Sequence, residues 1–513
     1  MQTMPSRELD MDLTSPSGTP ITAEEDVKHV KPSILNRQAQ SAKHIASEQS
    51  PHNIHISTSQ HCLHHLPAKR RHQLRAWTQV TNGHDLPKSL LNTQFETRIA
   101  DHVLLENTVM DVVSLGMLII DDVYPESGPP TLGILGGAGT YATVGARLFY
   151  PEEDSKNVGF IVHTGSDFSR ETREEIESWK SGSHFVNTPD RETTRGSNVY
   201  MNDIRYFEFL TDKIQVDHLS LPDHYVTAKV FHLICGPVRC VEVVEGIIAR
   251  RRELLSSVSG LSGRISEKPK FVWEPMEGFC EPRNRALFYE ALKHVDVFSP
   301  NMHELSLLFR DQQGIQVTPE YAQELAGFGL NTTWSTALRA LKSTKGQCRQ
   351  LQAKGFEDPD KALVIRQGEN GCTVLVNGHT TSFPAYHAPR HELTYTEKRL
   401  RKNKVVDVTG GGNAFLGGFC AGLAQAISED QSVPLLFEIA AAYGGVAASF
   451  AIEQVGLPKL TPRKVDGAER WNGSLPFERV RKMAENAHRR DSVSEDWMSF
   501  LLEWIRSVEI DNV

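Results

Sequence analysis

From residue 112 onward the chain alternates short apolar runs with stretches long enough for a helix. The runs are Val112–Ile120, Gly159–Val162, Val230–Ile234, Phe271–Trp273, Val295–Phe298 and Leu363–Ile365. Short apolar runs spaced by helix-length segments are the pattern of strands buried on both faces and joined by crossover helices. The chain is therefore expected to fold as an α/β protein, with a doubly wound, mostly parallel sheet flanked by helices. Residues Val199–Phe209 break the pattern, because apolar and polar side chains there partly alternate. Alternation is expected of antiparallel strands with one face in water, so this segment reads as a small β-lid beside the main sheet.

The rest of the 513 residues is organised around that body. Residues 1–105 are rich in Ser, Thr, Pro, Gln and His without a sustained apolar period, and are expected to form a disordered N-terminal extension. Within them His52, His55, His61, His64 and His65 read either as a metal-binding tract or as solvated tail. Lys69, Arg70, Arg71 and Arg75 read either as a nuclear-import or anion-binding patch or, again, as tail. The folded domain is expected over 106–470. A C-terminal helical segment, 471–513, is expected to pack on it, with Trp497, Leu501, Trp504, Ile505 and Val508 on one stripe behind Ser494 as N-cap.

Fifty-five basic against 64 acidic residues give a formal charge of −9, which provides no general attraction to nucleic acid. No run of about 18 apolar residues occurs, and Met1–Asp12 lacks the apolar core of a secretory signal. These features predict a cytoplasmic protein with neither membrane nor nucleic acid as partner, nuclear import being the alternative raised by the basic patch. The seven cysteines are scattered without a CxxC pair, so neither a zinc site nor a disulfide framework is expected.

The segment Val405–Phe419 carries the most chemistry. An apolar segment read as a strand ends in Asp407, and Gly410, Gly411 and Gly412 precede an apolar, small-residue helix. Successive glycines let backbone amides turn inward without Cβ clashes, and the positive end of the following helix points to the same place. Such a turn is an anion hole, suited to a phosphoryl group on which charge develops.

Asp407–Phe415 resembles the signature of the pfkB (ribokinase-like) carbohydrate and nucleoside kinases, D-T-x-G-A-G-D-x-F. The resemblance implies that Gly410, Gly411 and Gly412 hold the transferred phosphate and that position 413 takes the proton of the acceptor hydroxyl. Here that position is Asn413. An amide cannot accept the proton at neutral pH, and losing a general base costs about 10²–10⁴ in rate. On this reading Asn413→Asp is expected to raise turnover.

Further matches follow in the family's order over roughly residues 110–460. Gly116–Asp121 resembles the first strand, whose acid binds substrate hydroxyls, making Asp121 the candidate with Asp122 beside it. Gly136-Gly137-Ala-Gly-Thr-Tyr141 resembles the sugar-binding turn, with Tyr141 where the family has Asn. Phe298–Glu304 resembles the N-x-x-E motif, implying that Asn301 and Glu304 organise Mg²⁺. Leu363–Gly371 resembles the turn near the nucleotide, with Gly368 and Gly371 matched and Arg366 in place of Thr. Arg366 reads equally as a phosphate contact or as the partner of a surface carboxylate.

Taken together, the resemblance implies ATP and Mg²⁺ as cofactors and a small-molecule hydroxyl as substrate. It assigns the nucleotide to Asp407, Thr409, Arg366, Gly368 and Gly371, and the lid is the surface through which a homodimer would form. The basic residues Lys398, Arg399, Arg401, Lys402 and Lys404 read as a polyphosphate clamp or as solvated loop charges. The combination of GGAGTYA, an extended loop and TGGGNAF is similar to a fungal branch related to killer-maintenance proteins. Two other readings stand beside the kinase. One is a pseudokinase that binds ligand without transfer, which Asn413, Tyr141 and Arg366 favour. The other is a dinucleotide fold, suggested by the Gly137–Ala142 pattern and opposed by His163 at the end of the next strand, where a ribose-binding acid is expected.

Overall fold

The computed structural model describes residues 109–201, 204–258, 261–310, 347–348, 351–352, 358–376, 379–388, 404–433, 435–461, 468–488 and 503. The expected extension over 1–105, the stripe from Trp497 to Val508 and the basic loop up to residue 403 lie outside the described residues.

In chain order the strands are β1 (Val112–Ser114), β2 (Ile119–Tyr124), β3 (Thr131–Gly136), β4 (Val158–Thr164), β5 (Gly182–Asn187), β6 (Arg195–Met201), β7 (Ile204–Phe209) and β8 (Val230–Cys235). They continue with β9 (Lys270–Pro275), β10 (Val297–Phe298), β11 (Ala362–Arg366), β12 (Cys372–Val376), β13 (His379–Phe383) and a short ribbon, β14 (Leu460–Thr461) and β15 (Arg470–Trp471). The α-helices with described bounds are α1 (Ala138–Arg147), α2 (Arg170–Ser178), α3 (Pro237–Ser257), α4 (Arg285–Leu292), α5 (Met302–Leu308), α6 (Gly411–Ser428), α7 (Leu435–Ala451) and α8 (Pro476–His488).

Nine strands form the main sheet in the order β13-β12-β11-β10-β9-β8-β1-β4-β5. From β11 to β5 every neighbouring pair is parallel, as the apolar runs predict, whereas β12 and β13 close one edge as an antiparallel hairpin. Side chains alternate between two cores. Val112, Val230, Val272, Val297 and Val364 face a core shared with α1, α6, α7 and α8, while Phe231, Phe271, Trp273, Phe298 and Ile365 face one shared with α3 and α4. Period-two alternation within continuously apolar runs is what burial on both faces requires.

The run Val112–Ile120 is two strands rather than the one expected. A Cβ on Gly116 would lie 2.4 Å from the amide nitrogen of Gly139, so the chain can pass the start of α1 there only as glycine. β1 stays in the main sheet, and β2 leaves it to pair antiparallel with β3 and parallel with β6. β6 pairs antiparallel with β7, as the alternation in Val199–Phe209 predicts, completing a four-stranded lid in the order β3-β2-β6-β7.

Helix α6 is held by backbone contact on two sides. A Cβ at Gly417 would lie 1.8 Å from the carbonyl oxygen of Ala142 in α1, and one at Gly418 would lie 2.8 Å from that of Tyr443 in α7. The small residues that make this segment look bland in sequence therefore set the position of its N-terminus, where the glycine turn sits. Among the described residues no helix is long and apolar enough to cross a membrane.

Candidate active site

The glycine turn begins with a correction. Val405–Val408 form no strand; Val406 and Val408 are 60% and 68% exposed, and the segment is tied by a hydrogen bond from the Val406 amide to the Ile452 carbonyl. Asp407 accepts from the Thr409 amide at 2.9 Å and so shapes its own turn, and the Thr409 hydroxyl bonds the Tyr200 hydroxyl of lid strand β6. Gly410 has φ +73°, a left-handed conformation at the N-cap of α6, while Gly411 and Gly412 already belong to the first turn of the helix.

Tyr141 of α1 packs directly on this turn, because a Cβ on Gly410 would lie 2.4 Å from its ring. The ring is buried, so it acts as a wall of the turn in the place where the resemblance puts a sugar-contacting amide. On the lid side, Asp121 lies on β2 and not at the end of a main-sheet strand. A Cβ on Gly136 would lie 2.1 Å from Asp121 Oδ2, so that glycine lets the carboxylate approach the β3–α1 turn. Gly137, with φ +90°, is hemmed in by the backbone of Met117 and Ile119. The neighbouring Asp122 is committed to the lid itself, pairing with Arg195 at 2.8 Å and accepting from the Gly133 amide at 2.8 Å.

Behind the turn, polar side chains cross adjacent strands near their carboxyl ends. Asn413 Nδ2 donates to Glu274 Oε2 of β9 at 2.8 Å. Arg366, the last residue of β11, places Nη1 2.8 Å from Glu274 Oε1, and Nη2 3.3 Å from Glu304 Oε2 and 3.0 Å from the Ser299 carbonyl oxygen. His232 of β8 sets Nε2 3.5 Å from Glu274 Oε2, and its Nδ1 hydrogen-bonds the Ser114 hydroxyl of β1 at 3.0 Å. Arg366 thus pairs with two carboxylates, which are buried and not at the surface, and it stands beside the glycine turn, since a Cβ on Gly412 would lie 2.4 Å from Nη1.

One guanidinium between two buried carboxylates does not serve them equally. Burial pushes the Glu274 carboxyl up, but Arg366, with His232 and Asn413, outweighs this and holds it below its usual value. Glu304, with the longer contact to Arg366 and Glu274 nearby, is raised by burial to about 7. The ionised Glu274 can only accept hydrogen bonds, so it fixes the Asn413 amide with Nδ2 toward it and leaves Oδ1 as the acceptor for a ligand.

The N-x-x-E motif has local work. Asn301 Oδ1 accepts from the Glu304 amide at 2.8 Å and Glu304 Oε2 accepts from the Asn301 amide at 2.7 Å, a capping box at the start of α5. Both groups expected to organise Mg²⁺ are engaged there, and the Glu304 carboxylate already faces a guanidinium. Among the described residues no three His, Cys, Asp or Glu side chains are grouped to hold a metal ion. Among the described residues, Asn301 and Glu304 are thus spent on the capping box and on Arg366 and are not arranged as a preformed site for a divalent ion.

Gly368 and Gly371, with φ +57° and +88°, form the turn from β11 into β12. A Cβ on Gly371 would lie 1.9 Å from the Phe383 carbonyl oxygen, so this glycine is required by the hairpin, while Gly368 is open around its Cα. Sequence reasoning missed Glu274, His232, Ser114 and Tyr200. Glu274 had a legible signal, an acid directly after the apolar run Phe271–Trp273, in the same relation that drew attention to Asp407.

Comparison with known proteins agrees with this architecture. The sequence profile described as pfkB family carbohydrate kinase matches residues 277–462. An uncharacterised protein of Schizosaccharomyces pombe is 32% identical over 394 residues, 75% of this chain and 96% of the relative. Protein MAK32 of Saccharomyces cerevisiae is 30% identical over 391 residues, 72% of this chain and 91% of the relative. The chain belongs to the pfkB family. A cytidine kinase of Thermococcus kodakarensis is also similar, 23% identical over 338 residues, 64% of this chain and 94% of that enzyme. In this pfkB protein the doubly wound sheet, the lid and the glycine turn are all present, and Asn413, in the first turn of α6, is held by Glu274.

Proposed function

We propose that this pfkB protein is an ATP-dependent phosphotransferase acting in the cytoplasm on a hydroxyl of a sugar, a nucleoside or a similar small molecule. The observation that carries the reading is the convergence of Tyr141, the Gly410–Gly412 turn and Asn413 at the open end of α6, beneath the lid strand that holds Tyr200. The phosphates of ATP fit the amides of that turn, where the helix end favours an anion. Asp121, brought to the β3–α1 turn by Gly136, is the candidate for substrate hydroxyls. Asn413 Oδ1 orients the acceptor hydroxyl, and ATP, when bound, supplies the phosphoryl group. Positioning and electrostatic stabilisation dominate phosphoryl transfer, so an orienting amide supports a slow reaction.

The test is incubation of the full chain with labelled ATP and a panel of nucleosides, sugars and vitamin alcohols. The likeness to a cytidine kinase puts nucleosides first in that panel. Transfer to one class of acceptor supports the proposal. Nucleotide binding without product from any acceptor favours the second reading, a ligand-binding regulatory or scaffold protein, for which the amide at position 413 is the specific observation.

A homodimer through the lid is part of the same proposal. Tyr124, Leu132, Met201, Tyr206, Phe207 and Leu210 are exposed on or beside the lid strands, a concentration of apolar surface that association would cover. Light scattering at micromolar concentration is expected to give a dimer, and Leu132→Glu with Tyr206→Glu a monomer. A monomeric parent protein overturns this part.

A further inference from the structure

Arg366 pairs with two carboxylates and also stands against the glycine turn, so its charge has more than one neighbour to serve. Its side chain comes from β11, ends between carboxylates supplied by β9 and α5, and touches the first turn of α6. The residue is 8% exposed, and its Nε has no hydrogen-bond partner although it is buried. The atom that stands against the helix N-terminus is Nη1, so a fixed positive charge lies at the end of α6 that favours an anion.

We propose that Arg366 is a built-in cation for the Gly410–Gly412 turn, so that the site binds the phosphate end of a nucleotide without a divalent ion. The inference rests on the proposed function for its ligand and goes beyond it in the ion requirement. Three features support it. Arg366 Nη1 stands beside Gly412, so a phosphate on the amides of the turn meets the guanidinium directly. A divalent ion near Glu304 would face the fixed positive charge of Arg366, 3.3 Å from the same carboxylate. Arg366 is itself only 8% exposed, so little water stands between its charge and the turn. Arginine is suited to the task because it stays charged when buried and presents several donors to phosphate oxygens at once.

The experiment is calorimetric titration of the full chain with ATP and with ADP, once in EDTA and once in excess Mg²⁺, for the parent and for Arg366→Gln. The parent is expected to bind in EDTA with a Kd within about threefold of that in Mg²⁺. Arg366→Gln is expected to lose about tenfold or more in EDTA. Parent binding that requires Mg²⁺ overturns the inference and leaves the functional proposal standing. Equal binding in EDTA by a folded Arg366→Gln also overturns it. Absence of nucleotide binding in both buffers overturns the inference and the functional proposal together. The parent comparison decides the matter if the variant does not fold.

Discussion

Asn413→Asp, the substitution that restores the acid of the pfkB signature, is expected to destabilise the protein by about 3–5 kcal/mol at pH 8, the scale of an uncompensated buried charge. The new carboxylate would stand where Nδ2 now lies 2.8 Å from Glu274 Oε2, and Arg366 is already shared between Glu274 and Glu304. Two carboxylates at hydrogen-bond distance hold one proton between them, which raises the folded-state pKa of the pair above its unfolded value. The folded state then keeps a proton that the unfolded chain releases near pH 4, so the destabilisation is small at pH 4–5 and grows as pH rises. Urea denaturation from pH 5 to 8 measures it. Adding Glu274→Gln is expected to restore most of the loss, because the Gln amide donates to the introduced carboxylate while its carbonyl accepts from Arg366. The double variant, rather than the single one, is then expected to gain turnover, by roughly 10²-fold or more with any acceptor that gives activity. A single variant as stable as the parent at every pH would remove the contact on which this account of Asn413 depends.

Gly410→Ala is expected to cost roughly 2–5 kcal/mol, combining left-handed backbone strain with overpacking. Gly410 sits at φ +73°, and the added methyl would lie 2.4 Å from the Tyr141 ring, which is buried and cannot swing into solvent. Gly411→Ala is the internal control. Its backbone is helical, and the methyl would meet only Ile452 Cγ2, at 2.9 Å, the far end of a side chain that can move. A loss of less than about 1 kcal/mol is expected there. Thermal or urea denaturation of the pair decides the point, and equal losses would mean that Gly410 does not hold the left-handed turn. Gly410→Ala should also weaken ATP binding by displacing Tyr141 and the turn together, while Gly411→Ala should leave it largely intact.

Much of the frame was legible because burial leaves a periodic trace. The runs at Gly159–Val162, Val230–Ile234, Phe271–Trp273 and Leu363–Ile365 are strands of the main sheet, and the alternation at Val199–Phe209 is the β6–β7 pair of the lid. Val112–Ile120 was misleading because a single glycine diverts the chain without interrupting its hydrophobicity, and this moved Asp121 from the sheet to the lid. Val405–Val408 was misleading for the opposite reason: three of its four residues are valine, a strand former, yet no strand among the described residues pairs with them.

At the site, the glycine turn and Asn413 could be read because their chemistry is local. The motif Asn301–Glu304 was ambiguous, since the same spacing serves a capping box and a cation site at the start of a helix. The partners of Arg366 were out of reach. They are 62 and 92 residues away in sequence, at Glu304 and Glu274, and only the strand order brings them together.

The two-sided backbone seating of α6 restricts how such a site can diverge. A rod wedged against a carbonyl of α1 on one side and a carbonyl of α7 on the other cannot be shifted by exchanging residues along its length, because any larger residue at Gly417 or Gly418 collides with main chain. The anchor point of the turn is therefore fixed, and chemistry at the tip can be retuned only through what surrounds it. In this chain those adjustable parts are Tyr141, Glu274, Arg366 and Asn413, four side chains arranged around an immovable post.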